Sequence, residues 1–151
     1  MDIERVSGQV RQIALKLHKK GILAVGLFGS LARGDFDERS DIDIFVITEK
    51  ELSLGEQDEL YYDFSELIPL FRRDVTVLVY DIDSLKSIPT WQTLNLVKDA
   101  RFAHDQAGIE KVFKMILQQA EEHGIVYDEA ERVFKLKRVG RLAFSLKEQE
   151  A

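Results

Sequence analysis

The sequence predicts an α/β fold built around a small sheet, and three observations support this. Three apolar runs of about seven residues, rich in Ile, Val and Leu, are typical of buried strands. Segments with apolar residues every three or four positions are typical of amphipathic helices, and they alternate with these runs. Glycines, prolines and short polar stretches separate the two kinds of segment. The resulting order, α-β-α-β-α-β-α, is typical of helices packed on a sheet.

The elements of this core follow one another along residues 1–105. The strands are predicted over residues 22–28, 42–48 and 74–80. The helices are predicted over residues 3–19, 56–67 and about 90–100, with a short helical turn over 30–33. Gly21 is expected to end the first helix, and Pro69 the helix over 56–67. Pro89 suits the start of the last helix, because proline is tolerated in a first turn.

The C-terminal third is predicted as a helical extension, so the domains are residues 1–105 and 106–151. Two helices are predicted, over residues 107–123 and 128–147, joined near Gly124. Between Arg132 and Lys147 the chain carries six basic residues and no acidic one, interleaved with apolar residues. Three interpretations stay open for this basic segment: it packs on its own domain, docks on a partner protein, or contacts RNA.

Composition narrows the class of protein. A chain of 151 residues with 45% hydrophobic residues suits one domain with an extension. It has no cysteine, which excludes disulfides and thiolate metal sites. No signal-peptide pattern and no apolar run of about 20 residues is present, so we expect a cytoplasmic protein that does not enter membranes. The net charge of −6 argues against broad coating of nucleic acid, and the formation of oligomers is left open.

The candidate catalytic and phosphate-binding residues cluster in residues 29–46, where a Gly-Ser turn follows the first strand and an Asp-x-Asp pair begins the second. A small-residue turn brings backbone N–H groups close to a phosphate. Asp41 and Asp43, two positions apart on a strand, point to the same face, where both can hold a divalent cation. A phosphate cradle beside paired carboxylates is what metal-assisted nucleotidyl transfer requires.

This stretch resembles the signature of the minimal nucleotidyltransferases of the DNA polymerase β superfamily. The matching positions, all at the spacing of that signature, are Gly29, Ser30, Arg33, Gly34, Ser40, Asp41 and Asp43. The resemblance covers roughly residues 10–105. It implies a small mixed sheet flanked by helices, the polymerase β-like nucleotidyltransferase fold, with the C-terminal helical extension outside it.

The resemblance also implies a metal site with two Mg²⁺ ions, for which Mn²⁺ can substitute. Asp41 and Asp43 would hold both ions, and a third carboxylate from the next strand would complete the metal on the acceptor side. Asp74, which opens the third strand, fits that position. Asp81 and Asp83 compete with it, but they lie at the far end of the strand, where a turn is the simpler explanation.

The phosphates of the nucleotide are expected near the Gly-Ser turn. Gly29 and Ser30 would contact the β- and γ-phosphates through backbone N–H groups and the hydroxyl, and Ser30 would also suit the N-cap of a helix. Arg33 has two open interpretations: it binds the triphosphate, or it pairs with Asp37 or Asp41.

The function implied is transfer of a nucleoside monophosphate, AMP from ATP or the equivalent from another nucleoside triphosphate, to an acceptor hydroxyl. Stand-alone proteins of this family and size commonly act as antitoxins paired with a helical HEPN-type toxin. Some of them adenylylate a tyrosine of that toxin, which makes a protein hydroxyl the leading acceptor. The alternative from another class is a non-catalytic binding module that neutralises its partner by contact.

Overall fold

A four-stranded mixed sheet forms the centre of the computed structural model, which describes residues 1–17, 21–87 and 91–136. The strands lie in the order β3-β2-β1-β4. Their bounds are Ile22–Phe28 for β1, Ile42–Thr48 for β2, Val75–Asp81 for β3 and Arg101–Asp105 for β4. β1 is antiparallel to both β2 and β4, whereas β2 and β3 are parallel. The predicted mixed α/β sheet is therefore confirmed.

Helices cover both faces of the sheet. The helices are α1 (Ile3–Lys16), α2 (Gly29–Arg33), α3 (Leu54–Phe64), α4 (Leu67–Phe71), α5 (Ile82–Ser87), α6 (Trp91–Asp99) and α7 (Ile109–Glu122). Apolar residues of α1, α3 and α4 pack on one face of the sheet, and apolar residues of α5, α6 and α7 pack on the other. Successive side chains of β2 point to opposite faces of the sheet: Ile44 packs with α1 and α3, whereas Phe45 packs with α6 and α7.

The second face is built around three aromatic rings. Phe45 of β2, Phe102 of β4 and Phe113 of α7 have ring centroids 5.0 to 5.5 Å apart. Such contacts stabilise a core by about 0.5–1.5 kcal/mol each beyond the burial of area. The predicted helix over 107–123 is thus confirmed as α7, and it packs directly on the sheet. The domain boundary at residue 105 stays a prediction.

The helix predicted over residues 56–67 is in fact two helices, α3 and α4. α3 begins earlier than predicted, because Ser53 and Glu56 form a reciprocal capping box at its start. Pro69 does not end a helix but lies in the first turn of α4, where a backbone N–H has no partner within the helix. The other helix ends differ from the prediction by only a few residues, and residues 18–20 and 88–90 lie outside the described part.

Two elements were not predicted at all. β4 is a five-residue edge strand that carries Arg101, His104 and Asp105, so no apolar run marks it. α5 follows β3 directly, and its start is capped by Asp81, whose carboxylate accepts the Ser84 N–H at 3.1 Å. Asp81 therefore has a structural partner at the far end of β3.

The helix predicted over residues 128–147 is wrong over its described part, which forms a β-hairpin. Strands β5 (Ile125–Asp128) and β6 (Val133–Leu136) pair antiparallel, with Tyr127 opposite Phe134. The Asp128 carboxylate accepts the N–H groups of Ala130 and Glu131, which closes the turn. The same apolar residues fit a period of two as well as a helical period, and this local turn favours the strands. Residues 137–147 lie outside the described residues.

The hairpin contacts its own domain. Phe134 packs against the second face of the core, and the Lys98 ammonium of α6 lies 4.5 Å from the centre of the Tyr127 ring. Arg132 pairs with Asp35 at 2.5 Å. Within residues 1–17, 21–87 and 91–136, none of the helices has the length and apolar character needed to cross a membrane.

Candidate active site

The three predicted carboxylates lie at one end of the parallel pair of strands. Asp41 directly precedes β2, Asp43 is its second residue, and Asp74 directly precedes β3. The register pairs Asp43 with Thr76, and the Ile42 N–H donates to the Asp74 carbonyl at 2.9 Å. Asp41 lies two positions before Asp43, and Asp74 lies two positions before Thr76. Strand alternation therefore assigns all four residues to the same face of the sheet.

The Gly-Ser turn lies directly against this end of β2. The last residue of β1, Phe28, pairs with Asp43, and Gly29 follows with a φ of 72°. A Cβ atom at Gly29 would overlap a carboxylate oxygen of Asp43 and lie 3.2 Å from its Cγ. Glycine is thus needed here for its backbone conformation and for the space that the Asp43 carboxylate occupies.

The electrostatics of Asp43 favour a bound cation. Partial burial, and then the nearby charge of Asp41, raise the pKa of the Asp43 carboxyl above its usual value. A hydrogen bond from Thr76 and the charge of Arg33 act in the opposite direction. Two carboxylates that repel each other in a partly buried place gain stability from a divalent cation between them.

The donor set fits Mg²⁺ in its chemistry. Mg²⁺ prefers carboxylate oxygens and usually keeps waters and substrate phosphates as further ligands, so it does not need a cage made of protein alone. Within the described residues, no three acidic or histidine side chains form a ready-made metal shell. Strand alternation assigns Asp41, Asp43 and Asp74 to one face, but within the described residues they are not gathered around a single point.

The competing carboxylates lie elsewhere. Asp81 ends β3, where it pairs with Thr48, and Asp83 belongs to α5. Asp81 lies five positions along β3 from Thr76, which is about 16 Å at about 3.3 Å per residue. Asp81 and Asp83 are thus remote from Asp43.

Ser30 is not the N-cap of α2, contrary to the simpler interpretation. Phe28 holds the cap position, without a hydrogen bond from its side chain, and Ser30 lies inside the helix. α2 ends at Arg33. Gly34 follows as its C-cap with a φ of 88°, and its N–H donates to the Ser30 and Leu31 carbonyls. α2 begins at Gly29, whose backbone lies against the Asp43 carboxylate, and Ser30 is the next residue.

Arg33 forms ion pairs, but neither predicted partner is involved. Its guanidinium binds Asp99 of α6 at 2.8 Å and Asp35 at 3.3 Å, instead of Asp37 or Asp41. Partial burial lowers the pKa of Arg33, but the hydrogen bonds and charges of Asp99 and Asp35 outweigh it and raise the pKa above the usual value. Asp35 also binds Arg132, so the hairpin is connected to Arg33 through a shared carboxylate.

A cavity of about 440 Å³ lies beside this cluster. It is lined by residues of α2, the end of α6 and the hairpin, among them Arg33, Lys98, Tyr127 and Arg132. A second cavity of about 430 Å³ is lined by Asp41, Asp74 and the two arginines Arg72 and Arg73. Asp41 and Asp74 thus share one surface depression.

Sequence reasoning missed Thr76 at the site. It placed Arg73, directly before Asp74, near the phosphates or in a pair with acidic neighbours, and it did not indicate the backbone carbonyls that Arg73 reaches. Thr76 bonds Asp43 from the neighbouring strand, and Arg73 donates to backbone carbonyls of the loop before Asp41. The parallel register, once assumed, would have indicated Thr76. No sequence signal indicates which carbonyls an arginine will reach, because that depends on the packing of distant segments.

The part of the chain that matches known proteins includes both the Gly-Ser turn and the Asp-x-Asp pair. A family model described as polymerase beta nucleotidyltransferase matches residues 11–90, slightly more than half of the chain. The "Putative protein adenylyltransferase" of Methanocaldococcus jannaschii is 32% identical over 60 residues, which are 40% of this chain and 61% of that relative. The alignment therefore spans about three fifths of the relative's own length.

Solved structures share the fold. A chain of a toxin–antitoxin complex with AMP-PNP has a TM-score of 0.55 at 20% identity, with 82% of this chain and 89% of that chain covered. A chain of the complex between the tri-AMPylated HEPN toxin and the MNT antitoxin of Shewanella oneidensis has a TM-score of 0.51 at 16% identity, with 81% and 92% covered. At these identities the likeness concerns the fold alone. The match over residues 11–90 shows that this chain belongs to the polymerase beta nucleotidyltransferase family.

Proposed function

We propose that this chain is a metal-dependent nucleotidyltransferase that transfers AMP from ATP to an acceptor hydroxyl and releases pyrophosphate. The observation that carries the proposal is the contact between the Gly-Ser turn and the Asp-x-Asp pair, with the Asp43 carboxylate directly against Gly29. The proposed phosphate contact and the proposed metal ligand would therefore lie next to each other, as in-line transfer of a nucleotidyl group requires. Membership of the family supports the same reaction.

The carboxylates have distinct roles in this proposal. Asp41 and Asp43 would hold two Mg²⁺ ions, or Mn²⁺ in their place, and Asp74 would complete the ligand set on the acceptor side. The bound ions would neutralise the triphosphate and lower the pKa of the attacking hydroxyl. Thr76 and the Gly29 backbone restrict the Asp43 side chain, so its oxygens are oriented before the nucleotide binds.

The phosphates of ATP would lie over the turn between β1 and α2. Gly29 and Ser30 would contact them through N–H groups and the hydroxyl, since no side chain caps the start of α2. Arg33 is close enough to lower the pKa of Asp43 by its charge. We propose that Arg33 exchanges part of its contact with Asp35, the longer of its two ion pairs, for a phosphate oxygen.

A tyrosine hydroxyl of a HEPN-type toxin is the acceptor we propose, with this chain as the antitoxin of the pair. Solved structures of the same fold include a toxin–antitoxin complex with AMP-PNP and a tri-AMPylated HEPN toxin bound to its MNT antitoxin. The curated relative named as a protein adenylyltransferase supports a protein acceptor.

A second candidate is neutralisation of a partner by contact alone. The observation that favours it is the lack, within the described residues, of three metal-binding side chains gathered at one point. Pyrophosphate release separates the two functions. Purified chain with ATP, Mg²⁺ and a HEPN-type partner releases pyrophosphate if it is a transferase, whereas a binding module inhibits the partner without consuming ATP.

Asp74→Ala is expected to inactivate transfer, whereas Asp81→Asn and Asp83→Ala retain most of it. Asp74 shares the sheet face and the surface cavity of Asp41, and the other two lie at the opposite end of β3. Asparagine at position 81 keeps the cap of α5, so the fold is preserved. Initial rates of pyrophosphate release measure the difference. Activity lost in Asp81→Asn or Asp83→Ala but kept in Asp74→Ala would place the third ligand at the wrong end of the strand.

ATP is expected to raise the melting temperature only when Mg²⁺ or Mn²⁺ is present. Without metal, the triphosphate meets the charges of Asp41, Asp43 and Asp74 at close range, and repulsion opposes binding. With metal, binding to the native state stabilises it by mass action, by about 2.7 kcal/mol at a ligand concentration of about 100 Kd. Thermal denaturation over an ATP series, with excess EDTA as the control, measures this. An equal rise in EDTA contradicts a carboxylate–metal site.

A further inference from the structure

Arg73 connects the start of β3 to the loop that precedes Asp41. Its guanidinium Nη1 donates to two backbone carbonyls of that loop, those of Asp37 and Ser40, the latter at 3.0 Å. We propose that Arg73 is a positioning residue that holds the Asp41 carboxylate in place for the metal ions. This inference rests on the function proposed above.

Asp41 lies between two anchored neighbours. On one side, Arg73 holds the carbonyl of Ser40. On the other, the Ile42 N–H donates to the carbonyl of Asp74 at 2.9 Å, where the pairing of β2 and β3 begins. Both anchors come from the consecutive residues Arg73 and Asp74. The backbone of Asp41 is thus fixed relative to Asp74, although the Asp41 side chain itself is exposed.

The loop before Asp41 is also held together by hydrogen bonds among its own residues. The Ser40 hydroxyl accepts the Asp37 N–H at 2.9 Å and lies 3.3 Å from the Asp37 carboxylate, which also accepts the Arg39 N–H at 2.8 Å. These bonds define a compact turn, but they join the turn only to itself. Arg73 connects this turn to β3, so loss of its guanidinium frees the turn to move relative to Asp74.

Arginine suits this position better than lysine. A guanidinium presents several N–H donors in a fixed plane, so one group serves two carbonyls at a defined geometry, whereas an ammonium is a flexible point charge. Hydrogen bonds from a charged donor are also stronger than neutral ones. Arg73, Asp41 and Asp74 line the same cavity of about 430 Å³, so a shift of the loop changes the place where a metal would bind.

Direct binding of Mn²⁺ to the full chain, measured by electron paramagnetic resonance, tests the proposal. We expect Arg73→Ala to weaken binding about tenfold or more, the loss typical when a residue that orients metal ligands is removed. The Mn²⁺ affinity of Arg73→Lys is expected to lie between that of Arg73→Ala and that of the unaltered chain. Arg11→Ala removes another guanidinium that donates to a backbone carbonyl, that of Ala103, away from this cavity. It is the matched control and is expected to bind Mn²⁺ as the unaltered chain does.

The outcomes separate a positioning role from a structural one. With melting temperatures unchanged, weaker Mn²⁺ binding in Arg73→Ala together with partial rescue in Arg73→Lys supports the proposal. Unchanged Mn²⁺ binding in both variants, or an equal loss in Arg11→Ala, overturns it. If Arg73→Ala does not fold, Arg73→Lys decides: a folded lysine variant with unaltered Mn²⁺ affinity overturns the positioning role.

The proposed function fails in a different way. If the unaltered chain binds no Mn²⁺, or binds it equally well after Asp43→Asn, the metal site itself is wrong. If the unaltered chain binds Mn²⁺ through Asp43 but Arg73→Ala does so equally, only the role of Arg73 is wrong.

Discussion

Asp43→Asn is expected to reduce nucleotidyl transfer at least a thousandfold while the fold stays intact. A loss of that size corresponds to about 4 kcal/mol in the activation barrier. The carboxylate is the proposed ligand of both ions, so its removal eliminates charge compensation and ligand geometry together. The melting temperature is not expected to fall. Burial and the charge of Asp41 raise the pKa of Asp43, which means that its ionised form costs folding free energy, and an amide carries no charge.

Initial rates of pyrophosphate release, with circular dichroism and thermal denaturation alongside, measure this prediction. Asp58→Asn is the matched control, because it makes the same change at an exposed position in the middle of α3. We expect the control to keep the full rate. An Asp43→Asn variant with a normal rate and a normal fold would show that the carboxylates assigned here do not hold the metal.

Gly29→Ala is expected to lose most of the transfer activity and to destabilise the fold. The residue has a φ of 72°, a conformation that costs an L-residue about 1–2 kcal/mol. In addition, the new Cβ would overlap the Asp43 carboxylate, which must then move. The free energy of unfolding should fall by about 2 kcal/mol or more once this overpacking is included, and the melting temperature by roughly 4–8 °C.

Gly108→Ala separates backbone strain from the clash. Gly108 has a similar φ of 68° at the N-cap of α7, and a Cβ there meets nothing within 4 Å. We expect this variant to lose stability through strain and to keep its transfer rate. If Gly29→Ala keeps the same rate as Gly108→Ala, the contact between the Gly-Ser turn and Asp43 has no part in catalysis.

The parts of the fold that sequence predicts best are those where one kind of signal dominates. β1 and β2 have the predicted bounds, because each is a buried strand flanked by a sharp change to polar or small residues. β4 was missed because an edge strand with Arg101, His104 and Asp105 buries little apolar surface. The hairpin was predicted as helix because its apolar residues fit both periods, and the turn closed by Asp128 decides between them.

In the candidate site, too, local motifs were predicted from the sequence, whereas contacts between distant segments were not. A local motif carries Asp41 and Asp43, and Asp74 stands at a strand end; the parallel register of β2 and β3 brings these two strand ends side by side. The partners of Arg33 were wrong, because Asp99 is 66 residues away in sequence and reaches Arg33 only through the packing of α6 on the sheet. Thr76 and the backbone partners of Arg73 were missed for the same reason, since these contacts join segments that are distant along the chain.

The covalent state of the partner protein tests the proposed reaction most directly. A HEPN-type toxin is incubated with this chain, ATP and Mg²⁺, and its intact mass and tyrosine-containing peptides are measured by mass spectrometry. We expect the mass to rise by one AMP group or more, on tyrosine, with the unaltered chain and not with Asp43→Asn. A partner that is fully inhibited with no change in mass would contradict transfer and identify this chain as a binding module.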